Sequence, residues 1–185
     1  MQHYKRMKES RDLYISKSWY VLKTKPMTEK KVLGRLVDKG IVAYLPLYTT
    51  LRQWSDRKKK VTVPLISSVV FIYSNPEEIT KTYDIQGVNG VLKFLGKPAL
   101  VKEQEIDNLR ILLNEWDEEA ITPCPECLEA GVSVEVIKGP FAGLIASTIN
   151  LNGKNRVIVK IESLGANFQV NVPRSFLRKT NKKAA

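Results

Sequence analysis

Residues 132–143 read VSVEVIKGPFAG, and this stretch determines how the C-terminal third of the chain is interpreted. Apolar and polar residues alternate through its first half, as in a strand that buries one face. A Gly-Pro turn, an aromatic residue and a second glycine follow, and further alternating stretches continue as far as Phe176. A unit of roughly fifty residues with this pattern predicts a small β-barrel, and such barrels usually bind nucleic acid or protein.

The alternation predicts barrel strands at Val132–Ile137, Leu144–Leu151, Arg156–Glu162, Phe168–Val172 and Phe176–Arg178. Asn152-Gly153 is the strongest hairpin signal in the chain, because both central positions of a type I′ turn need a positive φ. The Val and Ile content favours strands over a helical form of this segment.

The preceding residues alternate strands with helices. The predicted elements are a strand at Trp19–Leu22, a helix after Pro26 that ends at Gly40, a strand at Ile41–Leu47, a basic hairpin or loop at Leu51–Val63, a central strand at Leu65–Tyr73, a short helix capped by Asn75, a strand at Val91–Leu95 and a helix at Lys102–Trp116. This order predicts an α+β sandwich, in which helices pack on a mostly antiparallel sheet.

These patterns predict two domains joined by a connector. The expected boundaries are a mobile basic arm over residues 1–17, an α+β domain over 18–116, an acidic linker over 117–130, a β-barrel over 131–179 and a basic tail over 180–185. The linker carries prolines and no hydrophobic period, and its like charges are expected to keep it extended.

The 185 residues carry a formal net charge of +11, which favours polyanionic partners. Arg52–Lys60 holds five basic residues and one acid, Arg174–Lys183 holds five basic residues and no acid, and Glu115–Glu129 holds six acids and no base. Charge in blocks indicates distinct surfaces, whereas a basic surface that serves solubility alone is the alternative. No apolar run approaches the roughly 18 residues of a membrane span, so we expect a cytoplasmic protein without a membrane partner.

The sequence offers little for catalysis or metal binding. Cys124 and Cys127 form a CxxC pair, but a structural zinc site needs four ligands, and His3, the sole histidine, lies far away in sequence. Flanking prolines and acids disfavour a reactive thiolate. We therefore predict a protein that is not an enzyme and holds no metal or cofactor, with a thiol oxidoreductase as a minor alternative.

Three patterns in order resemble the NusG family of transcription elongation factors, over residues 18–179. Trp19-Tyr20-Val21-Leu22 resembles the start of that family's N-terminal (NGN) domain. Arg57–Tyr73, where basic residues precede an apolar strand, resembles its central segment. Gly131–Gly143 and the strands after it resemble the KOW motif, a small SH3-like barrel.

Arg52-Gln53-Trp54-Ser55-Asp56-Arg57 further resembles a specialised branch of the family. This branch comprises the UpxY-like antiterminators of Bacteroides-type bacteria, which act on capsular polysaccharide operons and are related in role to RfaH. The resemblance implies a factor that suppresses pausing or termination at specific operons.

The family resemblance also implies partners. In the family, the N-terminal domain docks on the clamp helices of the largest RNA polymerase subunit and reaches the other large subunit, which holds the clamp closed. The KOW barrel recruits a further partner, such as a ribosomal protein or a termination factor. Upstream or non-template DNA is the implied nucleic-acid partner.

Carried over by position, the resemblance implies a clamp contact through the apolar patch Tyr20, Ile66, Val69, Phe71 and Phe94. The family often has Pro-Gly-Tyr where this chain has Ser67-Ser68-Val69, so a weaker or reshaped contact is expected. Val69 and Phe71 lie two apart on a strand and share a face, either as an exposed patch or as core.

Further residues are implied at other surfaces. The turn Thr80-Lys81-Thr82 lies where RfaH-like proteins contact the second polymerase subunit. The basic run Arg52, Arg57, Lys58, Lys59 and Lys60 is expected near DNA phosphates, with a solvated loop as the alternative. Trp54 within it is expected either to stack on an unpaired base or to anchor the loop.

In the barrel, Phe141 and Gly143 are the expected partner contacts. Phe141 is predicted at an exposed loop tip, with core packing as the alternative, and Gly143 is predicted to permit a backbone turn. Because KOW barrels also occur in ribosomal proteins, an RNA- or ribosome-binding protein is the alternative function.

Overall fold

The computed structural model describes residues 16–53, 57–114, 121–123, 131–151 and 154–180. It divides into two compact units. The first comprises the residues up to Pro46 together with Pro64–Val101, and the second comprises Leu47–Val63 together with the residues from Lys102 onward. The second unit therefore takes in a hairpin and a helix that the sequence analysis assigned to the 18–116 domain.

The elements in chain order are β1 (Ser18–Thr24), α1 (Glu29–Asp38), β2 (Val42–Tyr44), β3 (Leu47–Gln53), β4 (Lys58–Pro64), β5 (Val69–Ser74), α2 (Pro76–Thr80), β6 (Val88–Val91), β7 (Lys93–Phe94), β8 (Lys97–Pro98), β9 (Leu100–Val101), α3 (Glu103–Asn114), β10 (Ile121–Pro123), β11 (Ser133–Val136), β12 (Ile145–Leu151), β13 (Lys154–Ile161), β14 (Ala166–Asn171) and β15 (Leu177–Lys179). Short 3-10 helices, Glu162–Leu164 and Arg174–Phe176, precede β14 and β15. The predicted α+β class is confirmed.

The first unit is built on an antiparallel sheet in the order β2-β5-β1-β6, with β9 also paired to β1. β5 lies between β2 and β1, as its continuous apolar run predicted, and four consecutive residues from Val69 to Ile72 are buried. The predicted strand at Ile41–Leu47 is instead the short β2, followed by β3 beyond Pro46. Proline lacks the N–H that would continue a ladder.

The helix ends of the first unit follow the predicted local rules. α1 packs against β2 and β5 and buries Val32 and Leu36, which lie four residues apart on one face. Gly40 follows the helix at a φ of 73°, a conformation that favours glycine. At α2, the Asn75 side chain accepts a hydrogen bond from the Glu78 N–H at 2.8 Å within a capping box.

The second unit contains a six-stranded antiparallel sheet in the order β10-β14-β13-β12-β11-β15. All the predicted barrel strands are present, which confirms a strand-rich C-terminal segment. The Asn152-Gly153 turn lies outside the described residues. Ile121–Pro123, within the predicted acidic linker, forms β10 and pairs with β14. A single buried apolar residue, Ile121, gives no period by which the sequence could have revealed this strand.

The predicted basic hairpin is also present. β3 and β4 pair as a separate two-stranded sheet. The hydroxyl oxygens of Thr49 and Thr62 lie 3.2 Å apart across this sheet, within hydrogen-bond distance. Residues 54–56, which follow β3 in sequence, lie outside the described part of the chain.

Candidate functional site

The register of β1 against its neighbours assigns the side chains of the first sheet to two faces. Directly opposite residues of an antiparallel pair share a face, and the faces alternate along each strand. One face, here called the aromatic face, includes Trp19, Val21, Lys23, Val42, Tyr44, Val69, Phe71 and Tyr73. Its rings are close together, with centroids 5.3 Å apart for Trp19 and Tyr73 and 6.2 Å apart for Tyr44 and Phe71.

Side chains at the centre of the aromatic face are buried, whereas those towards its margins are partly or fully exposed. Phe71 is 0% exposed and Val69 only 8% exposed, so both side chains belong to the core. The expectation that Phe71 touches a partner directly is corrected accordingly. Tyr44 and Tyr73 are half-buried, whereas Val42 and Lys23 are exposed. Phe71 lies on β5, which pairs with β2 and β1, and its ring is next to that of Tyr44 on the same face.

Tyr20 does not belong to this face. It lies opposite Ile72 of β5 and Leu100 of β9, on the other side of the sheet from Val69 and Phe71. Its side chain is buried, and this burial raises the pKa of the Tyr20 phenol. The five predicted clamp residues therefore cannot form one continuous patch, and Tyr20 is corrected as a contact residue.

The turn that leads into β5 is held by a buried carboxylate. Glu29, at the start of α1, accepts a hydrogen bond from the Ser68 N–H at 2.7 Å. Ser68 has a φ of 61°, which residues other than glycine rarely adopt. Its neighbour Ile66 is half-buried. Glu29 thus fixes the turn at Ser68, at the end of the aromatic face.

A second apolar surface lies at the β7–β8 hairpin. Phe94 is 71% exposed and Leu95, with a φ of 49°, is 87% exposed. Lys93 and Lys97 flank the pair and are exposed as well. Of the predicted clamp residues, Phe94 presents the largest surface, and a large exposed aromatic side chain is typical of a binding residue.

The turn Thr80-Lys81-Thr82 offers a smaller surface than predicted. Thr82 is fully buried, and its hydroxyl donates a hydrogen bond to the carbonyl of Ile79 at 2.6 Å. The Thr80 hydroxyl donates to the carbonyl of Glu77 at 2.7 Å. Thr82 therefore stabilises the turn from the interior, and the expectation that it touches a partner directly is corrected. Thr80 and Lys81 are exposed.

Basic side chains are exposed along the β3–β4 hairpin. Arg57, Lys58, Lys59 and Lys60 are all exposed. Because side chains alternate along a strand, Lys58 and Lys60 lie on one face of β4 and Lys59 lies on the other. The side chain of Arg52 and the whole of Trp54 lie outside the described residues.

The loop before β12 differs from its prediction. Phe141 is buried, so packing and not an exposed loop tip describes it, and Phe141 is corrected as a surface contact. Gly143 is exposed at a φ of 91°, as expected of a glycine that permits a turn. Its N–H donates to the carbonyl of Val136 at 2.8 Å, which closes the loop on β11.

The family model described as "Transcription termination factor nusG" matches residues 17–110, about half of the chain. The chain belongs to the NusG family. The members of this family are transcription factors and not enzymes. The matched residues include every element of the first unit and most of α3.

Comparison with solved structures adds two similarities. The chain is similar to a Thermotoga maritima NusG structure that concerns domain interaction, with 22% identity, coverage of 91% of this chain and 99% of that chain, and a TM-score of 0.47. Conformations A and B of an MjSpt4:Spt5 complex match with 17% and 18% identity, over 89% and 90% of this chain and 99% of theirs, with TM-scores of 0.31 and 0.29. At these values they add nothing to the family assignment. No curated protein matches the chain.

The other predicted chemistry falls largely outside the described residues. His3, Cys124 and Cys127 all lie there. In the part of the chain that is described, no group of three His, Cys, Asp or Glu side chains is arranged to hold a metal ion. The helices in that part are all too short or too polar to cross a bilayer.

Sequence reasoning missed several residues of the aromatic face. Lys23, Val42 and Tyr73 share the aromatic face with Phe71 but were not predicted as site residues. The alternation Trp19, Val21, Lys23 was a usable signal, since it places Lys23 on the same side as Trp19. No local pattern places Val42 on this face, because its position depends on the pairing of β2 with β5, which are distant in sequence.

Burial of Tyr20 predicts a specific pH dependence of stability. Because the folded state raises the pKa of this phenol, its contribution is complete below pH 10 and is lost as pH rises through the folded pKa. Replacing Tyr20 with Phe should reduce the fall in the free energy of unfolding between pH 9 and pH 11, measured by urea titration at each pH.

The matched control is Tyr83→Phe, since Tyr83 is 47% exposed. This control should show the pH dependence of the unsubstituted chain. If Tyr20→Phe and Tyr83→Phe changed the pH dependence equally, Tyr20 would be as accessible as a surface tyrosine and its assignment to the core would be wrong.

Proposed function

We propose that this chain is an antitermination factor that binds RNA polymerase through its first unit and suppresses pausing or termination at particular operons, such as those for polysaccharide biosynthesis. The observation that carries the proposal is the NusG-family match over residues 17–110, which covers the unit that presents the aromatic face and the Phe94 hairpin. The role at specific operons rests on the resemblance of residues 52–57 to the specialised branch.

The polymerase contact is proposed to use the exposed apolar residues of the first unit. Phe94 and Leu95 form an apolar tip between two lysines, and Val42 and Tyr73 line the open margin of the aromatic face. A few anchors of this kind carry most of the binding free energy in protein interfaces. Phe71, Val69 and Tyr20 then support the surface from within, which keeps the anchors in place without touching the partner.

The remaining contacts are assigned by their exposure. Thr80 and Lys81 are proposed to reach the second large polymerase subunit, with Thr82 holding their turn. By bridging the two subunits, the first unit would hold the clamp closed. The C-terminal sheet is proposed to recruit a separate protein, such as a ribosomal protein or a termination factor.

The basic hairpin is proposed to lie along upstream or non-template DNA. Phosphate neutralisation by lysine gives affinity without sequence preference and makes binding sensitive to salt. Lys58 and Lys60 share one face of β4, so one duplex or single strand can contact both of them at once. Lys59 points to the opposite face and would contribute little to the same contact.

Replacement of Phe94 with Ser is expected to weaken binding to bacterial RNA polymerase by about tenfold or more, because the exposed ring is the proposed anchor. Its melting temperature should be unchanged, since no core contact is lost. Val37→Ser is the matched control, because Val37 is 59% exposed on α1 and lies outside the proposed surface. Binding is measured by biolayer interferometry with intact polymerase and with polymerase that lacks the clamp helices.

Loss of binding on clamp-helix deletion is the expected result. Undiminished binding to the deleted polymerase, or equal affinities of the Phe94→Ser and Val37→Ser variants, would contradict the proposed contact. Binding to ribosomal RNA without any binding to polymerase would favour the alternative of an RNA- or ribosome-binding protein.

The DNA contact predicts a change in salt dependence. The logarithm of the association constant falls linearly with the logarithm of the salt concentration. The double variant Lys58→Ala/Lys60→Ala should make this negative slope shallower by about two, because each lost phosphate contact reduces its magnitude by roughly 0.9. The single variant Lys59→Ala should change the slope by less than half as much. The slope is measured by fluorescence anisotropy with a forked DNA duplex, and equal slopes for the unsubstituted chain and the double variant would rule out the contact.

A further inference from the structure

One lysine stands among the apolar side chains of the aromatic face. Lys23, near the end of β1, lies directly opposite Val69 of β5 and Gly90 of β6, and its side chain is exposed. Every other residue named above on this face is aromatic or aliphatic. Among the described residues, Lys23 has no ion-pair partner. The aromatic face therefore carries a positive charge that no described residue compensates.

The backbone leaves an open space beside this charge. Directly opposite residues of an antiparallel pair share a face, so a side chain at position 90 would stand next to Lys23. Gly90 has a φ of 133°, a conformation that residues other than glycine rarely adopt. A Cβ placed at Gly90 would meet a ring carbon of Tyr83 at 3.9 Å, an ordinary van der Waals distance. Glycine thus keeps open a space bordered by Lys23, Gly90 and Tyr83, here called the Lys23 notch.

The Lys23 notch offers a positive charge and hydrogen-bond donors. The ammonium group of Lys23 can donate three hydrogen bonds and accepts none. Tyr83 is 47% exposed, and its phenol can donate one more. A carboxylate accepts hydrogen bonds and carries a negative charge, so it complements both groups, whereas a second cation is repelled by Lys23. The notch therefore selects an acidic side chain.

Desolvation strengthens this selection. A protein partner that covers this margin of the aromatic face removes water from Lys23 as well as from the apolar side chains around it. A buried charge without a partner is costly, so an interface that covers Lys23 must supply an anion. The apolar and aromatic surroundings indicate a protein as the source of this anion, because DNA phosphates are neutralised by clusters of basic side chains such as those of β4.

We propose that Lys23 is the specificity-determining residue of the polymerase contact. An acidic side chain on the clamp helices enters the Lys23 notch, pairs with the ammonium group of Lys23 and accepts a hydrogen bond from Tyr83. Clamp helices that carry a neutral or basic residue at this point are bound more weakly. This inference rests on the proposed function, because it names the chemistry of the clamp surface that the first unit meets. It adds a charge requirement to a contact otherwise assigned to apolar anchors.

The test is biolayer interferometry of charge variants with intact bacterial RNA polymerase. Lys23→Glu should bind at least about thirtyfold more weakly, because it places two like charges together. Lys23→Met, which keeps an unbranched side chain, should bind about three- to fivefold more weakly, so a complex still forms. The matched control is Lys31→Glu, an exposed residue of α1 with the same change in net charge, and its affinity should change by less than about twofold.

A charge-reversal experiment identifies the residue that enters the notch. Each acidic residue of the clamp helices is replaced in turn by lysine. One of these polymerases should bind the unsubstituted chain more weakly than intact polymerase does. The same polymerase should bind Lys23→Glu about tenfold more tightly than intact polymerase does, because the ion pair is restored with its charges exchanged.

Equal affinities of Lys23→Glu and Lys31→Glu for intact polymerase would overturn the role of Lys23, and so would failure of every lysine replacement to restore binding of Lys23→Glu. In both cases, binding of the unsubstituted chain to the clamp would still stand. Binding of the unsubstituted chain that is undiminished by deletion of the clamp helices would instead contradict the proposed function and this inference with it. The two failures are therefore distinguished by different measurements.

Discussion

The antiparallel pairing of β1 with β5 is the constraint on which the rest of the first unit depends. Its register, from Ser18 opposite Ser74 to Lys23 opposite Val69, decides which side chains share a face. A shift of one residue would transfer every side chain of β1 to the other face. The same register separates Tyr20 from Phe71 and brings Trp19 and Tyr73 into contact, so the surface available to a partner follows directly from it.

Glu29 connects this register to the turn before β5. Its carboxylate binds the N–H of Ser68, and Ser68 adopts a backbone conformation that is unfavourable for serine. A hydrogen bond to a charged group contributes on the order of 1.5–3 kcal/mol, which is comparable with or larger than the cost of about 1–2 kcal/mol for one such residue. The hydrogen bond to Glu29 thereby offsets the unfavourable conformation of the turn that leads to Val69.

Much of the fold was predictable because its signals are local. The cap at Asn75, the glycine at the end of α1 and the alternation in the C-terminal strands each depend on a few neighbouring residues, and all were found. The candidate site was harder to predict, because exposure depends on which distant strands pair. Phe71 and Phe141 have sequence neighbourhoods that fit both core and surface, and only the packed structure assigns them to the core. Likewise, no sequence rule predicts that the Asn108 side chain forms hydrogen bonds with the backbone of Ile145.

The proposed function depends on contact between the aromatic face of the first unit and the polymerase clamp. Site-specific photocrosslinking tests it most directly, with a photoreactive amino acid in place of Lys23 on that face and, as the reference, in place of Val37 on α1. We expect crosslinks from position 23 to the clamp helices of the largest subunit and none from position 37. Crosslinks to the clamp from position 37 alone, or from neither position in a complex that forms, would contradict it.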